Sequence, residues 1–421
     1  MPFGFYIIMA AQFFSALADH AIFILAIFVL RDPNIGGAAA AEEFEPLLKF
    51  SFSFFYVALA AFVGAFADSM PKWRVMLISN TIKIGGCFLM LMGAHPVVAY
   101  GIIGLGAAAY SPAKYGILTE YLPHRLLVLA NGWIEGLTVG AIILGMLLGG
   151  WLTNDGVMAW FAQFDIPLLG DSVDPSIAVI GLLYLLAAVF NLYIPDTGVD
   201  HKPLRANPLY LLRDFGHSLS LLWRDKLGQI SLSATTLVWG IAGTMQVLVL
   251  KWAEVNLGRE ELSKQTNMLA FVAIGMTIGA ILASRFVRLS QSVKIFPVGM
   301  LMGLILLCMP IVTNINVAIF ILILIGICGG FFVVPMNALL QHRGHVLMGA
   351  GHSISVQNFN ENLSTLTMNG LYACLIFMNV HINYVLIFFG LLAGAALWLI
   401  QRWHKLNQKR HNVMSQLEGI H

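Results

Sequence analysis

The sequence predicts an all-α polytopic membrane protein with twelve transmembrane helices arranged as two six-helix bundles. Of its 421 residues, 59% are hydrophobic and only 10% are charged, whereas soluble domains average about 45–50% apolar and about 25% charged residues. Apolar runs of roughly 20 residues, the length that crosses a bilayer, recur along the chain. This composition leaves no room for a sizeable soluble catalytic domain, so we expect a transporter and not an enzyme.

Apolar runs and the breakers between them predict the individual spans. The first run lacks a preceding basic segment and is too long for the hydrophobic core of a signal peptide, so we expect it to be retained. The predicted spans lie near residues 4–30, 47–67, 75–94, 97–120, 129–153, 176–195, 229–253, 267–287, 294–313, 316–340, 350–377 and 381–401.

The distribution of charge predicts the orientation. If the N-terminus is cytoplasmic, most of the 23 Lys and Arg residues fall in the even-numbered loops and the C-terminal tail. The odd-numbered loops are acidic, as at Glu42, Glu43 and Glu45. Because cytoplasmic loops are enriched in Lys and Arg, we expect both termini in the cytoplasm. The net charge of +2 gives no basic excess that would indicate nucleic-acid binding.

A long hydrophilic segment separates six predicted spans from six. Gly106 and Pro112 match Gly329 and Pro335 at one offset, near half the chain length, which is typical of transporters with parallel repeats. The predicted organisation is an N-terminal bundle over 1–195, a central cytoplasmic linker over 196–228, a C-terminal bundle over 229–402 and a basic tail over 403–421.

The loop after the second predicted span runs from Gly64 through Asp68 to Lys72 and Arg74. It resembles the G-x-x-x-D-x-x-x-[RK]-x-[RK] signature of the major facilitator superfamily. An acid at a helix end beside two bases can form a charge network that holds a gate in one state. We therefore expect Asp68, Lys72 and Arg74 to act in gating, while an ordinary positive-inside loop is the alternative.

Ionisable residues inside the predicted spans are candidate site residues, because charges at membrane depth are costly unless they pair or face water. Segments rich in small residues surround Asp19 and Lys114, which allows close helix approach, and Pro112 frees a backbone carbonyl. The alternative is a set of buried salt bridges that fix helix packing. The candidates are Asp19, Lys83, Lys114, Glu135, Lys251 and Glu361.

Predicted span 11 carries an unusual polar string from Ser353 to Asn362. Asn358, Glu361 and Asn362 fall at i, i+3 and i+4 and share one helix face. This face either lines a cavity or makes hydrogen bonds between helices. A proton-coupling pair of Asp19 and His20 is a further possibility, although adjacent helical residues point roughly 100° apart.

Three longer segments, residues 106–118, 329–341 and 349–362, resemble the bacterial lysophospholipid transporter family, a branch of the major facilitator superfamily. The resemblance implies flipping of lysophosphatidylethanolamine and lysophosphatidylglycerol from the outer to the inner leaflet of the inner membrane. A separate acyltransferase/acyl-ACP synthetase would reacylate them there. It implies no cofactor, no metal and no nucleic-acid partner.

The chemistry of such a substrate fits the candidate residues. Lys83 or Lys114 could meet the phosphate, and Asp19 or Glu361 the amine of an ethanolamine head group. Two positions depart from the family pattern. Its Asp-Asn pair in span 1 is Asp19-His20 here, and its arginine in span 7 is replaced by Gln246, with Lys251 five residues later.

Two other functions remain open from the sequence. A proton-coupled exporter of amphiphilic drugs would need Asp19 or Glu361 to titrate, and a non-transporting membrane partner would recruit the acyltransferase through the linker. The sequence contains no phosphate-binding loop and no nucleophile elbow. Its cysteines lie singly in apolar runs, so they suggest neither a metal site nor a disulfide framework; they are Cys87, Cys308, Cys328 and Cys374.

Overall fold

The computed structural model of the protein describes residues 1–30, 37–164, 173–199, 207–258 and 262–411. Within these ranges the regular secondary structure is helical. The α-helices are α1 Phe3–Leu30, α2 Gly37–Ala58, α3 Ala60–Asp68, α4 Lys72–Leu91, α5 Pro96–Tyr121, α6 Leu127–Leu152, α7 Asp155–Phe161, α8 Asp174–Leu192, α9 Pro208–Arg224, α10 Gly228–Leu257, α11 Leu262–Phe286, α12 Phe296–Leu306, α13 Ile315–Met348, α14 Ala350–Phe377 and α15 Ile382–His411.

The helices confirm the predicted multi-pass membrane fold. Ten helical segments among the described residues are long and apolar enough to cross a membrane. The last part of α2 and α3, bent by 62° relative to each other, together make an eleventh. Helix α14 is long enough for one further span, at 28 residues, and coincides with predicted span 11 over residues 350–377, but its polar string lowers its hydropathy.

The chain forms two compact units. Unit 1 comprises the described parts of residues 1–120, 140–215 and 350–355. Unit 2 comprises the described parts of residues 121–139, 216–349 and 356–421. The bundle, linker and tail boundaries given above stay predictions.

The core of unit 1 forms where α1 and α4 pack against α8. Ile22, Leu25, Ile180 and Tyr184 are among its fully or almost fully buried side chains. In lipid the hydrophobic effect gives little drive for helix association, because acyl chains are as apolar as leucine. Close packing and buried polar contacts therefore stabilise this bundle.

In unit 2, glycines allow α11 and α13 to approach closely. A Cβ atom at Gly275 or Gly279 would overlap the backbone of α13, and one at Gly326 or Gly330 would overlap that of α11. Both pairs have the G-x-x-x-G spacing, which brings helix backbones together in membranes. A larger residue at any of these positions would force the two helices apart.

Helix α9 lies in the predicted linker and is amphipathic. Leu211, Ser218 and Leu222 are buried, whereas Leu209 is 76% exposed. Its charged residues and 17-residue length set it apart from the membrane spans.

Candidate functional site

A small polar cavity opens within unit 1 between α1, α2, α4 and α5. Helices α1 and α5 each contribute residues at i, i+3, i+4 and i+7, which lie on one helix face. Tyr56 of α2 and Lys83 of α4 complete the wall. The lining residues are Gln12, Ser15, Ala16, Asp19, Tyr56, Lys83, Ala107, Tyr110, Ser111 and Lys114.

Asp19 and Lys83 form an ion pair in this cavity. The Lys83 ammonium lies 2.7 Å from Oδ2 of Asp19 and donates to Oγ of Ser15 at 3.0 Å. The other carboxylate oxygen of Asp19 accepts a hydrogen bond from the Tyr184 hydroxyl at 2.6 Å. Ser15 in turn donates to Oδ1 of Asn80 at 2.8 Å. The pair is thus held by neutral groups on three helices.

The surroundings explain how a lysine can lie at membrane depth. Its side chain is 1% exposed, and that of Asp19 is 16% exposed. The ammonium lies 5.1 Å from the ring centroid of Tyr110 and 5.5 Å from that of Tyr184, within range of a cation–π attraction. Gly106 of α5 leaves the necessary space, because a Cβ there would lie 2.7 Å from Cγ of Lys83.

Lys114 and Glu135, two further predicted site residues, lie on different helices. Lys114 lines the cavity from α5, and its ammonium lies 4.4 Å from the ring centroid of Tyr115. Its half-buried side chain contrasts with the fully buried Lys83. Glu135 belongs to α6, but its side chain lies outside the described residues.

His20 does not line the cavity beside Asp19. It faces α6, where a Cβ on Gly145 would lie 2.9 Å from Cβ of His20. The roughly 100° separation of adjacent helical residues accounts for this arrangement. The two residues therefore do not share one cavity.

Asp68, at the end of α3, forms the centre of a second charge cluster in unit 1. Lys72 lies 2.9 Å from its carboxylate and 3.2 Å from that of Glu120. The backbone N–H groups of Gly351 and His352 donate to Asp68 at 2.8 and 3.2 Å. Asp68 therefore occupies the N-terminus of α14, where the helix dipole favours an anion.

His352 is a member of this cluster that the sequence analysis missed. Its Nδ1 lies 2.7 Å from an oxygen of Asp68, and its Nε2 lies 3.0 Å from an oxygen of Asp214 in α9. Carboxylates only accept hydrogen bonds, so both contacts are made when both ring nitrogens carry protons.

Arg74 departs from the expected gating network. Its side chain is exposed, and its guanidinium lies 5.1 Å from the ring centroid of Trp73. The base that accompanies Lys72 at Asp68 is His352, from a helix distant in sequence. Helix α4 begins at Lys72, so Lys72 and Arg74 point in different directions.

The polar string of α14 makes hydrogen bonds in unit 2. The Gln357 amide donates to Oδ1 of Asn337 in α13 at 3.0 Å and to Oε1 of Glu361 at 2.8 Å. Asn362 donates to the backbone oxygen of Asn358 at 2.9 Å. Hydrogen bonding between helices is therefore present here, whereas a cavity-lining role for Asn358, Glu361 and Asn362 stays a prediction.

Gln246 and Lys251 are both exposed residues of α10. Lys251 pairs with Glu254 at 2.8 Å, and its side chain is 48% exposed. Neither residue lines the cavity of unit 1. Lys251 thus belongs to a surface pair of the kind that contributes little to stability.

Several residues of this site escaped the sequence analysis. Asn80 and Tyr184 bind Ser15 and Asp19, and the missed lining residues are Gln12, Ser15, Tyr56, Tyr110 and Ser111. A signal for some was present, because Gln12, Ser15 and Asp19 have helical spacing on one face. Tyr184 had no local signal, since it lies 165 residues from the aspartate that it binds.

The fold has close counterparts among solved transporters. The crystal structure of the human organic anion transporter MFSD10 matches with a TM-score of 0.76, 13% identity, and coverage of 96% of this chain and 100% of that one. That of FucP, a major facilitator superfamily transporter in the outward conformation, matches with a TM-score of 0.70, 13% identity, and coverage of 96% and 98%. At this identity the matches show the fold, which is that of a major facilitator.

Sequence comparisons identify the family within the major facilitators. The Major Facilitator Superfamily model matches residues 8–366. Lysophospholipid transporter LplT of Yersinia pestis (strain Pestoides F) is 37% identical over 369 residues, which cover 88% of this chain and 86% of that protein. The chain therefore belongs to the major facilitator superfamily and, within it, to the lysophospholipid transporter family.

Proposed function

We propose that this protein flips lysophospholipids, including lysophosphatidylethanolamine and lysophosphatidylglycerol, from the outer to the inner leaflet of a bacterial inner membrane. The observation that carries the proposal is the Asp19–Lys83 pair in the wall of a polar cavity. The family relationship supports the class of substrate, since the Yersinia pestis relative is named a lysophospholipid transporter.

The ion pair suits a head group that carries its own opposite charges. A phosphate can take the place of Asp19 beside the lysine, and an amine can take the place of Lys83 beside the aspartate. For lysophosphatidylethanolamine the exchange keeps every charge paired and avoids the cost of an isolated charge at membrane depth. The head group of lysophosphatidylglycerol has no amine, so its phosphate needs a cation other than the one that pairs with Asp19. Lys114, on the same wall, offers a second cation to the phosphate.

The single acyl chain needs no polar partner. It can stay in contact with lipid and apolar helix surfaces while the head group crosses. The flux is then set by the substrate gradient, and we propose that a separate acyltransferase/acyl-ACP synthetase maintains it by consuming the substrate in the inner leaflet.

The test is uptake of labelled lysophosphatidylethanolamine into spheroplasts with and without the protein at matched expression. We expect the unchanged chain to transport and the variants Asp19→Asn and Lys83→Met to lose most transport. Lys251→Met is the matched control, because this lysine is exposed and lies outside the cavity; we expect it to transport normally. Absence of uptake by the unchanged chain would refute the proposal.

A protonophore distinguishes facilitated flipping from proton-coupled transport. Uptake that survives the protonophore agrees with a gradient set by product removal. Uptake that collapses with the proton gradient would instead indicate a coupled carrier and remove this part of the proposal.

We further propose that both termini lie in the cytoplasm. The support is the excess of Lys and Arg in the even-numbered loops and the tail. Alkaline phosphatase and green fluorescent protein fused after His421 test it: fluorescence without phosphatase activity is expected, and phosphatase activity would contradict it.

A further inference from the structure

Helix α9 presents three distinct surfaces. Successive residues of an α-helix are rotated by roughly 100°, so its residues can be assigned to strips along its length. One strip is buried and contains Leu211, Ser218 and Leu222. This underside fixes the helix against the protein and leaves the opposite half of its circumference open.

The open half is divided lengthwise into an apolar strip and a basic strip. The apolar strip contains Leu209, Leu212 and Trp223, whose exposed fractions are 76%, 51% and 36%. Helical rotation places Arg213, His217 and Arg224 on the neighbouring strip, and all three are exposed. An apolar flank beside a basic flank is typical of helices that lie in a membrane interface.

The position of α9 in the chain agrees with this environment. Arg224 precedes Gly228, the first residue of the span α10, by only four residues, and the Asp225 carboxylate accepts a hydrogen bond from the Gly228 N–H at 2.7 Å. Four residues reach at most about 14 Å. The C-terminal end of α9 therefore lies near the membrane surface.

The acidic residues next to these strips already have partners in the protein. Asp214 contacts Nε2 of His352 at 3.0 Å, and Asp225 pairs with Arg343 at 2.6 Å. Neither carboxylate is on the basic strip. The exposed charge of α9 is thus positive, which complements a negative surface.

We propose that α9 lies in the head-group region of the cytoplasmic leaflet and binds anionic phospholipid, with acyl chains along Leu209, Leu212 and Trp223 and lipid phosphates against Arg213 and Arg224. The site is separate from the cavity of unit 1, and its occupant is a resident lipid and not the transported cargo. It would seat the linker helix on the membrane.

Depth measurements on the full chain test the position. Nitroxide labels are placed at Leu212→Cys on the apolar strip and at His217→Cys on the basic strip, in a background without the four native cysteines that still elutes as one symmetrical peak. In vesicles of phosphatidylcholine and phosphatidylglycerol, we expect the label at 212 to collide more with oxygen than with a water-soluble nickel chelate, and the label at 217 to show the reverse. Equal access of the chelate to both labels would place the strip in water or against a soluble partner and overturn the proposal.

Lipid retention tests the charge complementarity. Phosphatidylglycerol binding to the detergent-solubilised full chain is measured by native mass spectrometry for Arg213→Gln, Arg224→Gln and the control Lys251→Gln. We expect each arginine variant to bind about five-fold more weakly, the factor equivalent to about 1 kcal/mol per basic residue at an anionic surface, and the control to bind unchanged. Unchanged binding by both arginine variants would overturn the proposal.

Discussion

The Asp19–Lys83 pair gives the sharpest test of the site, because its loss can be separated into effects on stability and on transport. Lys83→Met leaves an unbranched side chain that is one atom shorter and removes its charge. Asp19 then keeps the Tyr184 hydroxyl at 2.6 Å and loses the ammonium at 2.7 Å. Breaking a buried pair on one side typically costs about 3–5 kcal/mol, since the remaining charge is uncompensated.

The double variant Asp19→Asn/Lys83→Met removes both charges. Replacing a buried pair by neutral groups of similar volume is often close to neutral for stability. We therefore expect each single variant to lose about 3 kcal/mol and the double variant to recover most of this loss. Unfolding in detergent, followed by tryptophan fluorescence, measures the free energy of unfolding of the unchanged chain, the two single variants and the double variant.

Transport of labelled lysophosphatidylethanolamine by the same four proteins completes the test. If the pair receives the head group, the double variant is stable but inactive. A double variant that regains both stability and transport would show that the pair only fixes helix packing, and the proposed role of the cavity would be wrong.

Three further substitutions test other parts of the structure. Lys114→Gln should lower transport of lysophosphatidylglycerol more than that of lysophosphatidylethanolamine in the uptake assay, because it removes a cation from the cavity wall and the phosphoglycerol head group, unlike phosphoethanolamine, has no positive charge of its own; an equal loss would contradict this role. Gly351→Ala should slow transport without unfolding the protein, since its Cβ would strike the Asp68 carboxylate, and the matched control Gly370→Ala, which meets no neighbour, should not. Asn131→Ala breaks the two-way amide contact with Gln341 at 2.8 and 2.9 Å and should reduce the free energy of unfolding by about 1–3 kcal/mol; an unchanged unfolding midpoint would contradict it.

The fold could be predicted from the sequence because bilayer thickness sets the length of each apolar run. Even the polar helix α14 was placed correctly, because predicted span 11 covers residues 350–377 and α14 runs over Ala350–Phe377. The close contact of α11 with α13 was not predicted. It depends on which glycine faces which helix, and the repeated spacing of Gly275 and Gly279 alone does not identify the partner.

Only the charged residues of the candidate site could be predicted from the sequence. Depth in the membrane singles out Asp19 and Lys83, but the sequence does not say that they touch, because they are 64 residues apart. The Asp68 cluster shows the same limit, and its gating role stays a prediction. The signature marked Asp68 and Lys72, which form an ion pair, whereas His352 lies 284 residues from Asp68, and Arg74 turns outward because of its place on α4.

The arrangement of the cavity bears on which cargo can be selected. With Asp19 and Lys83 paired, the site needs no ligand to satisfy its charges, and a neutral amphiphile offers nothing that would separate them. A head group with a phosphate and an amine supplies a partner to each side, so the pair can open without leaving a charge unpaired. If the pair receives the head group as proposed, the site discriminates by the cost of opening it for a molecule without matching charges. Tyr184 and Ser15 would then hold both ends of the pair in place for the exchange.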